Sequence, residues 1–539
     1  MTRRQPSRGR RGGPSTRRRR AHWRGASRSP RTGVEPLSAL PIVPQYRADP
    51  CGRLVADAER LAESLTRGQR DLAVEDALRK LMPDRVEDGP TLHFDDLSTI
   101  ARFAHIQDVS FLQDRALLRA AAGDYVASCL PALPGLQHYC EEQLGLGSVT
   151  WLWAEPRGQP EEVAAACWTH EDTRRALVRA LRAGELRYVH PHMGNLPTWA
   201  TSLRLRRASG APLAVIAPPP GLTSVVNDKL WFADTVRRLF GDHAIPHTAA
   251  AYNLTGVTQL VRRLADASRF IVVKHPNSAG GAGNLVMEAR QLAFHPLRRL
   301  HKRLRRALAR LSWTGAGPLL VGSWETRVLS APSVHLWIPT DADGMPIVEG
   351  VFEQVVDGAQ GRFVGVRKAH LPPAVVQELV DRCWILARLL QRLGYLGRCS
   401  FDTLLVGESL DRCRVQFVEC NGRWGGVSLP MTLMNRLFGN WTRRPFATHD
   451  CEVPGLKGIS FVDLLDFFAQ DLFDARTGTG NLVFYNPGGL SVRSAIYALG
   501  LGDSWEAADR MARVEAPRRL RELVNGLGAR SSRRWARIR

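Results

Sequence analysis

Three kinds of feature are scarce in this chain of 539 residues, and each absence excludes a class of protein. No apolar run approaches the ~20 residues that a membrane-spanning helix needs, and no apolar segment near the N-terminus indicates secretion. The nine cysteines are scattered and include no CxxC pair, so neither a zinc site nor a disulfide framework is indicated. We therefore expect a cytoplasmic protein with reduced thiols and no membrane partner.

Acidic residues are missing from the first 34 positions, which hold twelve arginines. The net charge of the whole chain is +22, so about +10 is left for all the remaining residues. This segment has too few apolar residues to fold, and we expect a disordered basic tail over residues 1–45. Three interpretations stay open: a solvated extension, a segment that binds RNA or another anionic surface, and a true start near Val34.

The rest of the chain divides into regions that differ in how apolar runs alternate with segments of helical periodicity. Residues 46–145 favour helices, whereas 147–225 alternate short apolar runs with helical segments, which is typical of a parallel sheet. We therefore predict an α/β fold that begins with a helical and α/β domain over 46–225. Short turns between the following strands favour antiparallel pairing in a second domain, 226–440. A helix, a strand and a closing helix pair predict a small C-terminal domain over 450–539.

Oxygen-bearing side chains lie on two neighbouring predicted strands, CSFDTLLV and VQFVECN. Residues two apart in a strand face the same way, so Glu419 and Asn421 project together while Val418 faces away. Asp402 lies on the preceding strand. Three oxygen ligands without histidine or cysteine suit a hard cation, and magnesium favours one or two carboxylates beside substrate phosphates. The alternative is a solvated strand end with incidental polar residues.

A lysine followed by glycines forms a second motif, IVVKHPNSAGGAG. Lys274 ends the β-branched strand, and Ser278, Gly280, Gly281 and Gly283 follow it. Glycines let backbone N–H groups approach an anion, and the lysine adds a full charge. The spacing is neither that of a P-loop nor that of a Rossmann fingerprint. A glycine-rich turn alone is weak evidence, so phosphate binding is one interpretation and an ordinary loop is the other.

Two further groups of polar residues have more than one interpretation. Lys229 begins a predicted helix, for which Asn227 is the expected N-cap and Gly241 the expected end. By itself Lys229 is more typical of a surface lysine than of a ligand contact. His190 and His192 stand around a proline at a strand end, where loop residues are commoner than metal ligands, and we leave them out of the metal site.

Taken in order, these motifs resemble the ATP-grasp superfamily of carboxylate-amine ligases. The chain presents NDK at 227–229, VVK and SAGGAG within 272–283, VGSWE at a hinge, and then SFD and ECNGRWGG. The match spans about 225–435, and its order makes it more specific than any one motif. The chain is most similar to the bacterial branch that contains the peptide ligase of pheganomycin biosynthesis, which also has a preceding α/β domain and a VFYNP-like strand.

The resemblance implies a role for each motif. The two lysines would contact ATP phosphates, and the glycine loop would close over them as a lid. Asp402, Glu419 and Asn421 would hold two magnesium ions. Many members have a hinge glutamate where Gly322 or Ser323 stands here. The implied catalytic residues are Arg423, which would steady the acyl phosphate, and Lys274. The implied nucleotide-binding residues are Lys229, Lys274, Ser278, Gly280, Gly281, Gly283, Trp324 and Glu325.

The implied function is that of an ATP- and magnesium-dependent ligase. It would join a small carboxylate to an amine, such as an amino acid or peptide, through an acyl phosphate, in small-peptide or secondary-metabolite biosynthesis. Arg367 and Lys368 either grip a substrate carboxylate or are solvated strand residues. Two alternatives stay open: an ATP-grasp enzyme with another nucleophile, and a non-catalytic protein whose tail binds nucleic acid. Confinement of the positive charge to the tail disfavours a basic binding face. The identity of the substrates and the oligomeric state stay open.

Overall fold

The computed structural model describes residues 41–99, 109–278, 283–310, 313–358 and 361–536. The prediction of a disordered tail is wrong for residues 41–45. The backbone N–H of Val43 donates to Glu349 Oε1 at 3.3 Å, and that of Gln45 donates to Val348 O at 3.0 Å. Ile42 packs into a small apolar cluster there, which explains why this short apolar stretch is held. The rest of the predicted tail, 1–40, lies outside the described residues.

Five strands form a parallel sheet near the start of the described chain. The strands are β1 Thr91–Phe94, β2 Tyr125–Ser128, β3 Thr150–Trp153, β4 Tyr188–Pro191 and β5 Ala214–Val215. They lie in the order β3-β2-β1-β4-β5, and every neighbouring pair is parallel. The helices of this region are α1 Gly52–Gly68, α2 Asp76–Arg79, α3 Leu136–His138, α4 Val163–Thr169, α5 Glu171–Ala183 and α6 Leu196–Ser209.

The prediction that residues 46–145 are helical is correct for α1 but wrong for β1 and β2. These two strands are central in the sheet and almost wholly buried. Each has only four residues, which is too few for an alternating pattern to stand out. The predicted parallel sheet is therefore present, but its central strands come from the part of the chain expected to be helical.

A four-stranded antiparallel sheet follows. Its strands are β6 Thr248–Asn253, β7 Phe270–Lys274, β8 Asn284–Glu288 and β9 Ala316–Ser323, in the order β6-β9-β7-β8. The helices of this region are α7 Pro220–Val226, α8 Lys229–Phe240, α9 Leu254–Ala265, α10 Arg290–Ala293 and α11 Leu297–Arg310. Apolar side chains of α9 and α11 cover the sheet.

The N-cap of α8 differs from the prediction. Asp228, not Asn227, caps the helix, because its Oδ1 accepts from the backbone N–H groups of Leu230 and Trp231 at 2.7 and 3.1 Å. An aspartate serves as well as an asparagine in this position, and it adds a negative charge at the helix N-terminus. The Asn227 side chain is consequently free to make contacts elsewhere.

A nine-stranded antiparallel sheet takes up most of the second half of the chain. Its strands are β10 Val328–Ser330, β11 Pro332–Ile338, β12 Ile347–Asp357, β13 Arg362–Lys368, β14 Gly397–Gly407, β15 Cys413–Asn421, β16 Phe446–Glu452, β17 Leu482–Tyr485 and β18 Ala495–Leu501. They lie in the order β10-β14-β11-β12-β13-β16-β18-β17, and β15 pairs with β14. The remaining helices are α12 Pro373–Arg392, α13 Ser428–Phe438, α14 Phe461–Phe467, α15 Gly489–Arg493, α16 Trp505–Arg510 and α17 Ala516–Ala536.

The α/β class predicted from the sequence is confirmed by this combination of a parallel sheet and two antiparallel sheets. Helix α12 buries one apolar face, which includes Leu379, Cys383 and Leu386. The C-terminal strands β16 to β18 continue the large antiparallel sheet, and the domain boundaries stay a prediction. No helix in the described part of the chain is both long and apolar enough to cross a membrane.

Candidate active site

Two carboxylates face each other across β14 and β15. The register pairs Asp402 with Glu419, so both side chains project from the same face of the sheet. Asp402 Oδ1 accepts a hydrogen bond from Ser333 Oγ at 2.7 Å, and its Oδ2 accepts one from Asn421 Nδ2 at 2.9 Å. Burial, together with the negative charge of Glu419, raises the pKa of Asp402. The structure thus brings the three predicted metal ligands together.

Val418 contradicts the prediction that it faces away from these ligands. The register shifts after Asp402, so that Thr403 pairs with Phe417 and Val418 has no partner residue on β14. An extra residue in one strand makes a β-bulge, which interrupts the alternation of faces. Val418 consequently lines the same cavity as Glu419.

Lys229 is the first residue of α8 and forms a buried ion pair within this site. Its Nζ lies 2.7 Å from Glu419 Oε2 and also donates to the carbonyl oxygen of Ser278. Burial disfavours the charged form of Glu419, but Lys229, with Arg423 and Lys274, outweighs burial and lowers the pKa of the carboxyl. The surface-lysine interpretation is therefore wrong, because α8 directs this side chain inward.

Lys274 ends β7, as the sequence predicts. Its Nζ lies 5.8 Å from the centroid of the Trp324 ring. Burial, and then the positive charge of Lys229, lowers the pKa of the Lys274 ammonium group to about 8. Two neighbouring cations, Lys229 buried and Lys274 half-buried, favour an anionic ligand, because an opposite charge stabilises their charged forms. Trp324 and Glu325 directly follow β9 and line the same cavity.

The two ends of the glycine-rich loop lie close together. The backbone N–H of His275 donates to Gly283 O at 3.1 Å, and Ser278 Oγ donates to His275 O at 2.9 Å. A Cβ atom on Gly283 would lie 2.2 Å from that of Ser278, so the approach requires glycine. The other two predicted loop residues, Gly280 and Gly281, lie outside the described residues, and their phosphate role stays a prediction.

Arg423 is half-buried and held by an asparagine from another region of the chain. Its guanidinium donates to Asn227 Oδ1, which also accepts the backbone N–H of Gly422 at 3.1 Å. Asn227 Nδ2 in turn donates to Thr223 O at 2.8 Å. Burial lowers the pKa of Arg423, opposed chiefly by the charge of Glu419. No local pattern indicates this role of Asn227, because it lies almost two hundred positions from Arg423.

The two histidines left out of the metal site fix the backbone next to Arg423. Trp424 Nε1 donates to His190 Nε2 at 3.1 Å, and the Trp424 backbone N–H donates to His192 O at 3.0 Å. The guanidinium carbons of Arg119 and Arg398 lie 5.3 and 5.1 Å from the Trp424 ring centroid. Burial lowers the pKa of both histidines, which keeps them neutral. Their position in the structure is that of buried supports for the 423–424 segment.

These side chains line one large cavity. Its volume is about 650 Å³, and its walls include Lys229, Lys274, Asp402, Glu419 and Arg423. A smaller cavity of about 270 Å³ shares Ser278 and Arg423 with the large one. Its other walls include the polar residues Asn195, Thr223 and Asn277.

Two predicted substrate contacts are not brought into this cavity. Arg367 is exposed, and Lys368 Nζ lies 5.0 Å from the centroid of the Trp505 ring. Conversely, sequence reasoning missed Ser333, the hydrogen-bond donor to Asp402. The available signal was that Ser333 and His335, two positions apart, are the polar residues of an otherwise apolar strand, and so share one face.

No family model and no curated protein matches the chain. Among solved structures, an ADP complex of N5-carboxyaminoimidazole ribonucleotide synthetase is similar with a TM-score of 0.49 and 12% identity, covering 82% of this chain and 100% of that chain. The Staphylococcus aureus N5-carboxyaminoimidazole synthetase complexed with ADP has a TM-score of 0.47 and 8% identity, and the match covers 82% of this chain and 99% of that chain. Biotin carboxylase from Campylobacter jejuni has a TM-score of 0.45 and 11% identity, and the match covers 78% of this chain and 89% of that chain. Since these TM-scores are below 0.5, the functional proposal rests on the geometry of this chain.

The residues around Asp402 fit a magnesium ion. Among the described residues, no group of three or more His, Cys, Asp or Glu has the arrangement of a metal site, and here two carboxylates combine with an amide. The burial and mutual repulsion that raise the pKa of Asp402 are relieved when a divalent cation lies between two carboxylates. The donors are all oxygens on adjacent strands, which is the ligand type that magnesium prefers.

Proposed function

We propose that the chain is an ATP- and magnesium-dependent carboxylate-amine ligase of the ATP-grasp type. The observation that carries the proposal is that three cations, Lys229, Lys274 and Arg423, line one cavity with the paired carboxylates Asp402 and Glu419. Transfer of a phosphoryl group requires a triphosphate to be neutralised and held in line with its acceptor. The two lysines, beside a hard-cation site, provide both.

The Lys229–Glu419 ion pair lies where the phosphates of the nucleotide would bind, and both of its members can change partners. When nucleotide binds, Lys229 would turn from Glu419 to a phosphate oxygen, and Glu419 would turn to the metal with Asp402 and Asn421. Each buried charge keeps an opposite charge throughout, which avoids the cost of an unpaired one. Magnesium at these residues would neutralise phosphate oxygens as a Lewis acid.

Arg423 belongs to both cavities, so it is the expected meeting point of the substrates. We place the carboxylate substrate in the smaller cavity, beside Asn195, Thr223 and Asn277. One carboxylate oxygen would attack the γ-phosphorus, with ADP as the leaving group. The amine would then attack the acyl carbon, release phosphate and lose a proton to give the amide. Arg423, held by Asn227, would donate hydrogen bonds to the oxygens on which negative charge develops.

The finer aspects of the proposal follow from the resemblance and the cysteines. The products would be small peptides or related amides, such as secondary metabolites, made from an amino acid or peptide amine. All nine cysteines are unpaired, which supports a reducing, cytoplasmic compartment. An ATP-grasp enzyme that uses another nucleophile is the second candidate, since the phosphate end would be the same in both.

The test is acyl-phosphate trapping. The protein is incubated with ATP, magnesium, pooled amino acids and small carboxylic acids, and hydroxylamine, and hydroxamates are measured by mass spectrometry. We expect Glu419→Gln, which keeps the side-chain shape but removes the charge, to lower the yield at least ~100-fold. The matched control is Glu408→Gln, at an exposed position, which should retain the full yield. Near-normal hydroxamate formation by Glu419→Gln would refute the metal assignment.

Arg423→Ala separates binding from chemistry in the same assay. It should retain the rise in melting temperature caused by MgATP while hydroxamate formation falls by about two orders of magnitude, because its contact is made mainly in the transition state. Arg414→Ala, at an exposed position of β15, is the control. Loss of the MgATP effect in Arg423→Ala would place the arginine in nucleotide binding instead.

A further inference from the structure

Three side chains from the C-terminal strands, with Asn486 just beyond them, form a row along the wall of the large cavity. The register pairs Asp450 of β16 with Tyr497 of β18, and Tyr497 with Tyr485 of β17. Residues directly opposite each other on neighbouring strands project from the same face. The rings of Tyr485 and Tyr497 lie 5.3 Å apart between centroids. Asn486 follows at the end of β17 and also lines the cavity.

Two buried oxygen atoms in this row have no hydrogen-bond donor among the described residues. They are Asp450 Oδ1 and Asn486 Oδ1, on residues that are 5% and 3% exposed. The other carboxylate oxygen, Asp450 Oδ2, accepts from the Arg493 guanidinium at 2.8 Å. Buried acceptors are nearly always satisfied in folded proteins, because an unmade hydrogen bond costs free energy. The row therefore lacks a donor that a ligand would supply.

The backbone around Asn486 is held in an uncommon conformation. Asn486 and Ser494 are the non-glycine residues of the described chain with positive φ, at 56° and 53°. The segment between them is packed tightly, since a Cβ atom on Gly488 would lie 2.5 Å from Phe111 O. Such conformations persist only where the surrounding structure enforces them, and they cluster at ligand-binding sites.

The side chains near the row favour a ligand that donates hydrogen bonds over a carboxylate ligand. Arg493 already pairs with Asp450, and Arg115, also on the cavity wall, pairs with Asp95 at 3.0 Å. Both guanidinium groups near the row thus have carboxylate partners and are not left to bind a substrate carboxylate. Tyrosine rings, in contrast, attract cations through their faces.

We propose that this end of the large cavity binds the amine substrate. Asp450 Oδ1 and Asn486 Oδ1 would accept N–H groups from its ammonium or amide, with Tyr485 and Tyr497 against its carbon skeleton. The inference rests on the proposed ligase function and adds the position and class of the second substrate. The acid would then enter from the smaller cavity and the amine from the C-terminal strands, on either side of Arg423.

The test compares Asn486→Gly with Ser494→Gly. Glycine suits both left-handed positions, so both variants should fold, but only the first removes an unpaired acceptor from the cavity. Amide formation is measured against the concentration of pooled amino acids and dipeptides. Asn486→Gly should raise the half-saturating amine concentration at least about tenfold, the loss expected for a hydrogen bond to a charged donor. Hydroxamate yield and the MgATP effect on melting temperature should stay normal, and Ser494→Gly should match the wild type throughout.

Two results would overturn the amine site. One is an unchanged amine dependence in Asn486→Gly, and the other is a wild-type protein that forms hydroxamates but no amide with any pooled amine. Failure of the ligase proposal looks different: the wild type itself would form no ATP-dependent hydroxamate and would show no MgATP effect.

Discussion

At the scale of single residues, the site consists of buried and half-buried charges whose partners are shared or incomplete. Glu419 pairs with Lys229 and also faces Asp402 across the strands. Asp450 has one satisfied oxygen and one unsatisfied oxygen. Such arrangements cost stability unless a ligand completes them, so we regard these residues as positions kept for binding.

The buried carboxyl group of Asp114 predicts how the stability of the protein depends on pH. Burial, and then the charge of Asp95, raises the pKa of Asp114 to about 7. The folded state therefore binds more protons than the unfolded state between the ordinary carboxyl pKa of ~4 and 7, and stability is lost as pH rises through this range. We predict that Asp114→Asn raises the melting temperature relative to wild type, by a difference that grows to a few degrees near pH 7 and is then constant.

The measurement is thermal unfolding of both proteins from pH 4 to pH 9. Asp172→Asn, at an exposed position, is the control and should follow the wild-type curve. A constant difference between Asp114→Asn and wild type over the whole range would mean that Asp114 does not titrate in this window.

At the scale of elements, α11 corrects the interpretation that positive charge is confined to the tail. The helix has no acidic residue, and Leu300, Leu304 and Leu308 are buried against the four-stranded sheet. The opposite face is exposed and basic, so the premise that disfavoured a basic face on the folded part is wrong. Its exposed cations are Arg298, Arg299, Lys302, Arg303, Arg305, Arg306 and Arg310.

Lys302→Glu should stabilise this helix. Lys302 is exposed and stands four positions from both Arg298 and Arg306, so like charges repel on one helix face. A glutamate there would attract both, at about 0.3–0.5 kcal/mol for each pair. We expect a higher melting temperature at low salt and a smaller gain at 1 M salt, where such pairs are screened. Lys302→Gln should give an intermediate value, and a gain independent of salt would exclude this explanation.

At the scale of the whole molecule, the segment that leads out of the basic tail is part of the fold. Val43 and Gln45 bond to β12, and Tyr46 forms a bridge with Val348. The site residues all lie beyond this segment. The first part of the tail and the 41–46 segment therefore differ in the consequences that their removal should have.

Two truncations test this difference. Removal of residues 1–33 should leave ATP turnover and melting temperature unchanged, whereas removal of 1–46 should lower the melting temperature, because it deletes the contacts with β12. A tenfold drop in turnover for the shorter truncation would show that the tail acts in catalysis. If the tail binds RNA, only the full-length protein should show salt-dependent RNA retention.

The sequence by itself determined those features that depend on residues near one another in the chain. The short turns between successive strands predicted antiparallel pairing in the second half of the chain, and the IVVK run predicted that Lys274 ends a strand. The pairing of Asp402 with Glu419 could be expected because consecutive strands tend to be neighbours. The central strands β1 and β2 of the parallel sheet were not predicted, because four residues are too few to show an alternating pattern.

Only the tertiary structure decided which distant residues meet. The contacts of Asn227 with Arg423, of His190 with Trp424 and of Lys229 with Glu419 join segments about two hundred positions apart. Local pattern contains no information on such pairs, because they depend on how helices and sheets pack. The bulge at Val418 and the row from Asp450 to Tyr485 likewise depend on register, which is fixed by the pairing of whole strands and not by either strand alone.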